Sequence, residues 1–373
     1  MKIALFMTYG GSLGVWRRAG ILARELSLYK DHADAGLEIG VVSYGGPEET
    51  AIRSEFPFVT VLCNTHNLHM RVYAALIPLI HRHWLSQSYV FKTNQLYGAH
   101  VARRAATLFR KPLIVRQGFG YYENTASKYG AEGRAARNAL RYEKRYLDKA
   151  DYCVMSTERL LELACTRYGL DRKKMQVIPN FVDIDRWMPG PENTLKSGPA
   201  KIAFVGRLVE PKNPLLLVEA CVGLDVEITM VGDGPLRSSV ERYAREKEVN
   251  VTFVGQLPHG QIRDAIQNCF AFVLPSLYEG HPKTLIEAMA MAMPVIGTRV
   301  RGIAEIIVDR QTGLLCEGDA VSLRAAIMEL ENDRALGARL GLAARQYVME
   351  NFGLDRVACK ERALYEKLAA KAC

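Results

Sequence analysis

Short apolar runs alternate with stretches of helical periodicity, and the series runs twice along the 373 residues. Strands buried on both faces read as continuous apolar runs, and a parallel sheet needs a helix to cross from each strand to the next. The first series offers Lys2 to Met7, Ile39 to Ser43, Val59 to Leu62, Tyr89 to Phe91, Leu113 to Val115 and Tyr152 to Met155. A stretch rich in Pro and Gly, Met188 to Pro199, then interrupts the pattern. The second series is Lys201 to Gly206, Val226 to Val231, Val251 to Val254, Phe270 to Leu274 and Pro294 to Gly297. The expectation is an α/β chain of two doubly wound halves with a cleft between them. Helical patterns are read over Val15 to Tyr29, Leu68 to Leu85 and Tyr347 to Leu368, the last interrupted at Phe352-Gly353.

A chain of this length exceeds one ordinary core, and 49% hydrophobic with 24% charged residues is the composition of a folded protein. The eight cysteines are scattered, without a Cys-x-x-Cys or zinc-ligand spacing, so they read as free thiols in a reducing compartment, the cytoplasm. Ile3 to Met7 is too short for a secretion signal and reads as a first strand. No run reaches the roughly 18 apolar residues of a membrane span, so a membrane role would be peripheral.

The charge of +9 is uneven. Residues 1–182 hold 26 Lys/Arg against 15 Asp/Glu, while the remainder holds 23 against 25. That asymmetry points the first half toward an anionic partner, with a merely solvated basic face as the alternative. Arg134, Arg137, Arg141, Lys144, Arg145 and Lys149 interleave with Leu140, Tyr142, Tyr146 and Leu147 in one amphipathic stretch, and Leu68 to Leu85 mixes Trp84 and leucines with Arg71, His81, Arg82 and His83. Either pattern suits an anionic lipid surface or a core-facing helix. Nucleic acid is not expected, since no zinc finger, RNP-type pair or helix-turn-helix accompanies the charge.

Candidate chemistry concentrates where strands of the second series end. In PSLYEGHPKTLIEAMAMAMP, Pro275 to Pro294, Glu279 stands in a turn and Glu287 in the first turn of the next helix. The carboxyl ends of strands and a helix N-terminus are where an open α/β sheet binds phosphate-bearing ligands. Glu287 has a competing reading, because Thr284-x-x-Glu287 also spells a capping box. Arg207 and Lys212, after the first strand of that series, supply a forked and a compact cation. Gly232-Asp233-Gly234 and Gly10-Gly11-Ser12-Leu13-Gly14 either let backbone approach a ligand or simply connect elements.

Taken in order and spacing, GRLVEPKN, VGDGP, VTFVGQL, PSLYEGHPKTLIEAMAMAMPVIGT and GIAEIIVDRQTGLL resemble the donor domain of retaining glycosyltransferase family 4, over roughly 178–320 and more loosely over 1–177. The resemblance implies a GT-B fold: two Rossmann-like domains facing each other across a deep cleft. It implies an acceptor-binding domain over 1–180, a nucleotide-sugar donor domain over 181–345, and a terminal helix over 346–373 returning to the first domain. Glu279 and Glu287 match the family's E-x7-E pair. Arg207 and Lys212, with Gly206, would hold the diphosphate of a nucleoside-diphosphate sugar, Glu287 the ribose, and Glu279 the sugar. His281, Pro282, Lys283, Thr284 and Leu285 would contact sugar and phosphate, Leu257 the base, and Gly11 the donor from the other domain.

The activity implied is retaining sugar transfer; the basic first half points to a saccharide acceptor, lipid-linked or part of a surface polysaccharide, at the inner face of a membrane. No metal or cofactor is expected, and Asp183-x-Asp185 reads as part of the interdomain segment. Where many members carry a histidine, this chain has Val115-Arg116-Gln117-Gly118, leaving Gln117 or a neighbour to substitute. Rivals are a nucleotide-sugar epimerase of the same fold, a silent sugar-binding module, and an NAD-dependent oxidoreductase. The last lacks a G-x-G-x-x-G after a strand.

Overall fold

The computed structural model describes residues 1–190 and 200–370. The chain divides into two compact units, Met1–Pro179 with the chain from Val357 onward, and Asn180–Arg356. Residues 191–199 of the Pro- and Gly-rich stretch lie outside the described residues, as does Cys373.

Each unit is built on one wholly parallel sheet. The first has seven strands in the spatial order Val59–Leu62, Glu38–Val42, Lys2–Phe6, Val90–Thr93, Leu113–Gln117, Tyr152–Met155, Met175–Val177. The second has six, in the order Val251–Gly255, Val226–Val231, Ala200–Val205, Ala271–Leu274, Val295–Thr298, Leu314–Cys316. In both, the chain starts at a central strand, adds neighbours on one side, then crosses back to add the rest. That reversal is the Rossmann-like winding, and it leaves a switch point beside the first strand. Two short edge strands, Met175–Val177 and Leu314–Cys316, go beyond the sequence expectation.

The alternation of side chains along a strand feeds two cores. In the second unit Ile202, Phe204, Ile228 and Met230 pack on one face, while Ala203, Val205, Val231 and Phe272 pack on the other with Trp187. Backbone chemistry cuts the expected long helices. Val15 to Tyr29 becomes Leu13–Arg18 and Leu22–Asp34, parted at Gly20 with φ +70°. Leu68 to Leu85 becomes Met70–Ile80 and Arg82–Gln87, and Gly353 separates Arg334–Phe352 from Leu354–Ala369. Among the described residues no helix is long and apolar enough to cross a membrane. Their cysteines, Cys63, Cys153, Cys165, Cys221, Cys269, Cys316 and Cys359, are free thiols.

The first unit encloses an ion pair between distant parts of the chain. Lys92, on the strand Val90–Thr93, and Glu361, on the terminal helix, are each 2% exposed, and Lys92 Nζ donates to Glu361 Oε1 at 2.6 Å. Glu361 Oε2 accepts from the Tyr365 hydroxyl at 2.8 Å and from His32 Nε2 at 3.2 Å. Burial would raise the carboxyl pKa, but the Lys92 charge and the His32 hydrogen bond outweigh it and hold Glu361 well below the usual carboxylate range. The pair therefore seats the terminal helix against the sheet.

Removing one partner leaves the other charge buried, so Glu361→Ala should lower unfolding free energy by about 3–5 kcal/mol in urea titrations at neutral pH. Because the folded pKa lies below the unfolded value of about 4.3, the stabilisation is complete above that value and lost as the pH falls through it toward the folded pKa. Urea midpoints measured from pH 7 to 3 should fall more steeply for the wild type than for Glu361→Gln.

Candidate functional site

Four successive turns of the second unit leave the carboxyl ends of neighbouring strands, and backbone contacts clamp them together. After Ala200–Val205, Gly206 N–H donates to Val231 O and Leu208 N–H to Asp233 O, each at 3.0 Å. Gly232 has φ +132°, and a Cβ there would collide with Gly206 O. This resolves the open reading of Gly232-Asp233-Gly234: the glycines let two turns touch backbone to backbone. Leu277 N–H donates to Pro211 O at 2.9 Å, joining the next turn. The fourth closes the set at Gly302, φ +82°, where a Cβ would strike Gly280 O.

On this platform Lys212 and Glu279 meet. Lys212 ends the 3-10 turn Glu210–Lys212, and its Nζ pairs with Glu279 Oε1. The same oxygen accepts from the buried Ser276 hydroxyl at 2.8 Å, and Thr298 Oγ1 fixes Ser276 by donating to its carbonyl at 2.5 Å. The Glu279 side chain is 10% exposed, whereas Arg207 on the neighbouring turn is exposed to solvent. A cation and a cation–carboxylate pair at a strand-to-helix turn are groups that a diphosphate and its attached group can use.

The helix Lys283–Ala290 starts beside Glu279. Pro282 is its N-cap and offers no side-chain cap. The capping box does not form. Glu287 lies beyond the first turn rather than in it, buried, and its Oε1 accepts from His259 Nε2 at 2.8 Å. Asn180 Nδ2 donates to His281 O at 2.6 Å, and the His281 ring packs edge-on against Phe352. Lys283 lies over the Phe181 ring, Thr284 is half-buried, and Leu285 is buried in the core. At the helix end Arg345 caps Ala290 O, placing a cation at the negative pole. Leu257 is half-buried on the turn after Val251–Gly255. His259, Ser276 and Gly302 support the site but were not singled out by sequence; His259 and Gly302 act through partners far along the chain, Glu287 and Gly280.

Gly11 belongs to the first unit, where its N–H donates to Thr8 O at 2.7 Å. The following helix amides have protein acceptors: Leu13 N–H bonds Ser43 Oγ, Gly14 N–H bonds the buried Glu49 carboxylate, and Val15 N–H bonds Ser12 Oγ. A carboxylate already at that helix end opposes a phosphate at those amides. Gln117 is likewise turned inward, its amide donating to the buried Glu143 at 2.9 Å. It does not stand free at the turn in place of a histidine. Asp183 takes the Arg186 N–H on Oδ1 and serves the turn that buries Trp187.

One feature at the carboxyl ends of the first sheet was not legible in the sequence. Tyr9, Tyr44, Tyr97 and Tyr121 each follow a different strand and converge, with ring centroids 5.4 Å apart for Tyr9 and Tyr44 and 5.7 Å for the stacked Tyr97 and Tyr121. Tyr97 is 38% exposed.

For the platform, Gly232→Ala should cost about 2 kcal/mol or more, the sum of a strained backbone and a displaced turn. Guanidinium unfolding of the purified variant measures it, and a loss below about 0.5 kcal/mol would contradict the clamp.

The family model for Glycosyl transferases group 1 matches residues 189–347, and that for Glycosyltransferase Family 4 matches residues 20–186. A glycogen synthase of Mycobacterium tuberculosis is 28% identical over 247 residues, 64% of this chain and 59% of that one. The chain spans about half to two-thirds of the length of the curated relatives it matches. Among solved structures, a sucrose-phosphate synthase from Thermosynechococcus elongatus is 22% identical with a TM-score of 0.81, covering 100% of both chains. HepE of Anabaena, solved in complex with UDP-glucose, is 16% identical with a TM-score of 0.76, covering 99% of this chain and 100% of that one. With one profile over each half and a doubly wound sheet in each unit, the chain belongs to the family 4 glycosyltransferases of GT-B fold.

Proposed function

We propose that this protein is a retaining glycosyltransferase that moves a sugar from a nucleoside-diphosphate donor to a saccharide acceptor. The observation that carries this is the Lys212–Glu279 pair, beside the uncapped start of helix Lys283–Ala290 and across from the exposed Arg207 turn. The relative HepE, solved with UDP-glucose, supports a nucleotide-sugar donor.

In this reading Arg207, Lys212 and the first amides of the helix, Lys283 to Leu285, take the diphosphate, and Glu287, oriented by His259, takes the ribose. Leu257 lines the base, Gly206 leaves room for the phosphates, and the backbone of His281 and Pro282 faces the sugar. As the bond from C1 to the phosphate oxygen breaks, negative charge grows on the leaving group. Cations already aimed there stabilise it without a metal. The acceptor oxygen bonds to C1 on the same face, and its proton passes to the departing phosphate. Glu279 stabilises positive charge on the sugar. A nucleophilic role suits it less, because Lys212 and Ser276 already hold one of its oxygens.

The acceptor half of the reading rests on the first unit. Its tyrosine group offers flat apolar faces for a sugar ring. Arg134, Arg137, Arg141, Lys144 and Arg145 lie exposed along helix Arg134–Asp148 while Tyr142 and Tyr146 turn toward the core, so the basic face is free for a lipid-linked or polyanionic acceptor at a cytoplasmic membrane surface.

Arg207→Ala, at an exposed position, should fold normally and lower kcat at least about 100-fold, as removal of one transition-state contact does. Unchanged turnover would refute the leaving-group role. Tyr97→Ala should raise the acceptor KM about 5- to 10-fold with the donor KM unmoved, the effect of losing an aromatic contact worth about 1–1.5 kcal/mol. An equal rise in both constants would remove the tyrosines from acceptor binding.

A further inference from the structure

The first unit has a second concentration of cations, at the opposite end of its sheet from the tyrosines. A cavity of about 520 Å³ opens where Leu113–Gln117, Tyr152–Met155 and Met175–Val177 begin. Arg103, Arg110, Lys111, Lys173, Lys174 and Lys367 line it, and Asp151 is the acidic residue in its wall. Asp151 Oδ2 already accepts the Leu113 N–H at 2.8 Å. Among the described residues none of the six cations forms an ion pair, whereas Arg172 and Arg167 nearby in sequence pair with Glu158 and Glu123.

Three separate segments supply this charge: the end of helix Ala99–Phe109 with the turn after it, the 3-10 turn Arg172–Lys174, and the terminal helix. Arg103 is held by donating to Lys149 O at 3.0 Å, and Lys367 Nζ stands 5.0 Å over the Tyr152 ring. Like charges lining one cavity repel one another, and an anion bound among them converts repulsion into attraction. The volume exceeds what a single phosphate fills, and two arginine forks favour grouped phosphate oxygens. We propose that this cavity is a binding site for a compact anion carrying two or more phosphates, which ties the terminal helix to the sheet when bound. The site is separate from the donor reading and does not depend on it.

The test is calorimetric titration of the 373-residue chain with sodium pyrophosphate, with and without saturating nucleoside diphosphate. The cavity should retain one equivalent that the nucleotide does not displace. Lys174→Glu/Lys367→Glu, both exposed positions, should lose that equivalent or bind at least about 10-fold more weakly, and Lys174→Gln/Lys367→Gln should fall between. Any equivalent displaced by nucleotide should survive in both variants, so failure of the donor reading and failure of this site give different results. In the wild type, pyrophosphate should slow amide exchange in the terminal helix. Vesicles of phosphatidylglycerol provide the second arm: flotation lost in the same variants identifies clustered headgroups as the phosphate source, and pyrophosphate binding without flotation identifies a soluble ligand. Undiminished nucleotide-resistant pyrophosphate binding in the charge-reversed variant, or no such binding in the wild type, would overturn the proposal.

Discussion

A parallel sheet puts every strand's carboxyl end on the same edge, and in the second unit that constraint gathers the turns of the candidate site. What turns the gathering into a site is contact between backbones. Gly232 meets Gly206, Leu277 hydrogen-bonds Pro211, and Gly302 meets Gly280, so Glu279, Lys212 and Arg207 are displayed on turns that support one another. Side chains of this length lose rotamer freedom on ordering, and a rigid backbone beneath them lowers what a ligand must supply to align them.

Pairing Lys212 with Glu279 has a consequence for catalysis. Glu279 accepts from the Lys212 ammonium while itself being held by Ser276. When a diphosphate arrives, the ammonium has donors enough for both partners. In the proposed reaction the carboxylate stays beside the sugar, its charge oriented by the contacts with Lys212 and Ser276.

The strands were legible because burial on both faces writes an unbroken apolar run, as in Lys201 to Val205. Met175–Val177 and Leu314–Cys316 were not, being three residues long. Arg207, Lys212, Glu279 and Glu287 stood out as candidates because turn chemistry and charge recur near the ends of runs, where a sequence shows them side by side. The partner that decides Glu287 is His259, 28 residues away, and local spacing suggested a capping box instead. Gln117 shows the same limit, since the Glu143 that draws it inward lies on another element. Lys92 places a charge in a fully buried strand and pairs there with Glu361, 269 residues downstream, a pairing no local pattern records.

The central claim is that the second unit recognises two linked phosphates, with Arg207 and Lys212 as their cations. Calorimetric affinities for UDP, GDP and ADP, each set beside its monophosphate, test it most directly. The account predicts that at least one diphosphate binds 10-fold or more tightly than its monophosphate, a gap of about 1.4 kcal/mol, and that the gap closes in Arg207→Ala. Equal affinities within each pair, or a gap that survives the substitution, would contradict it.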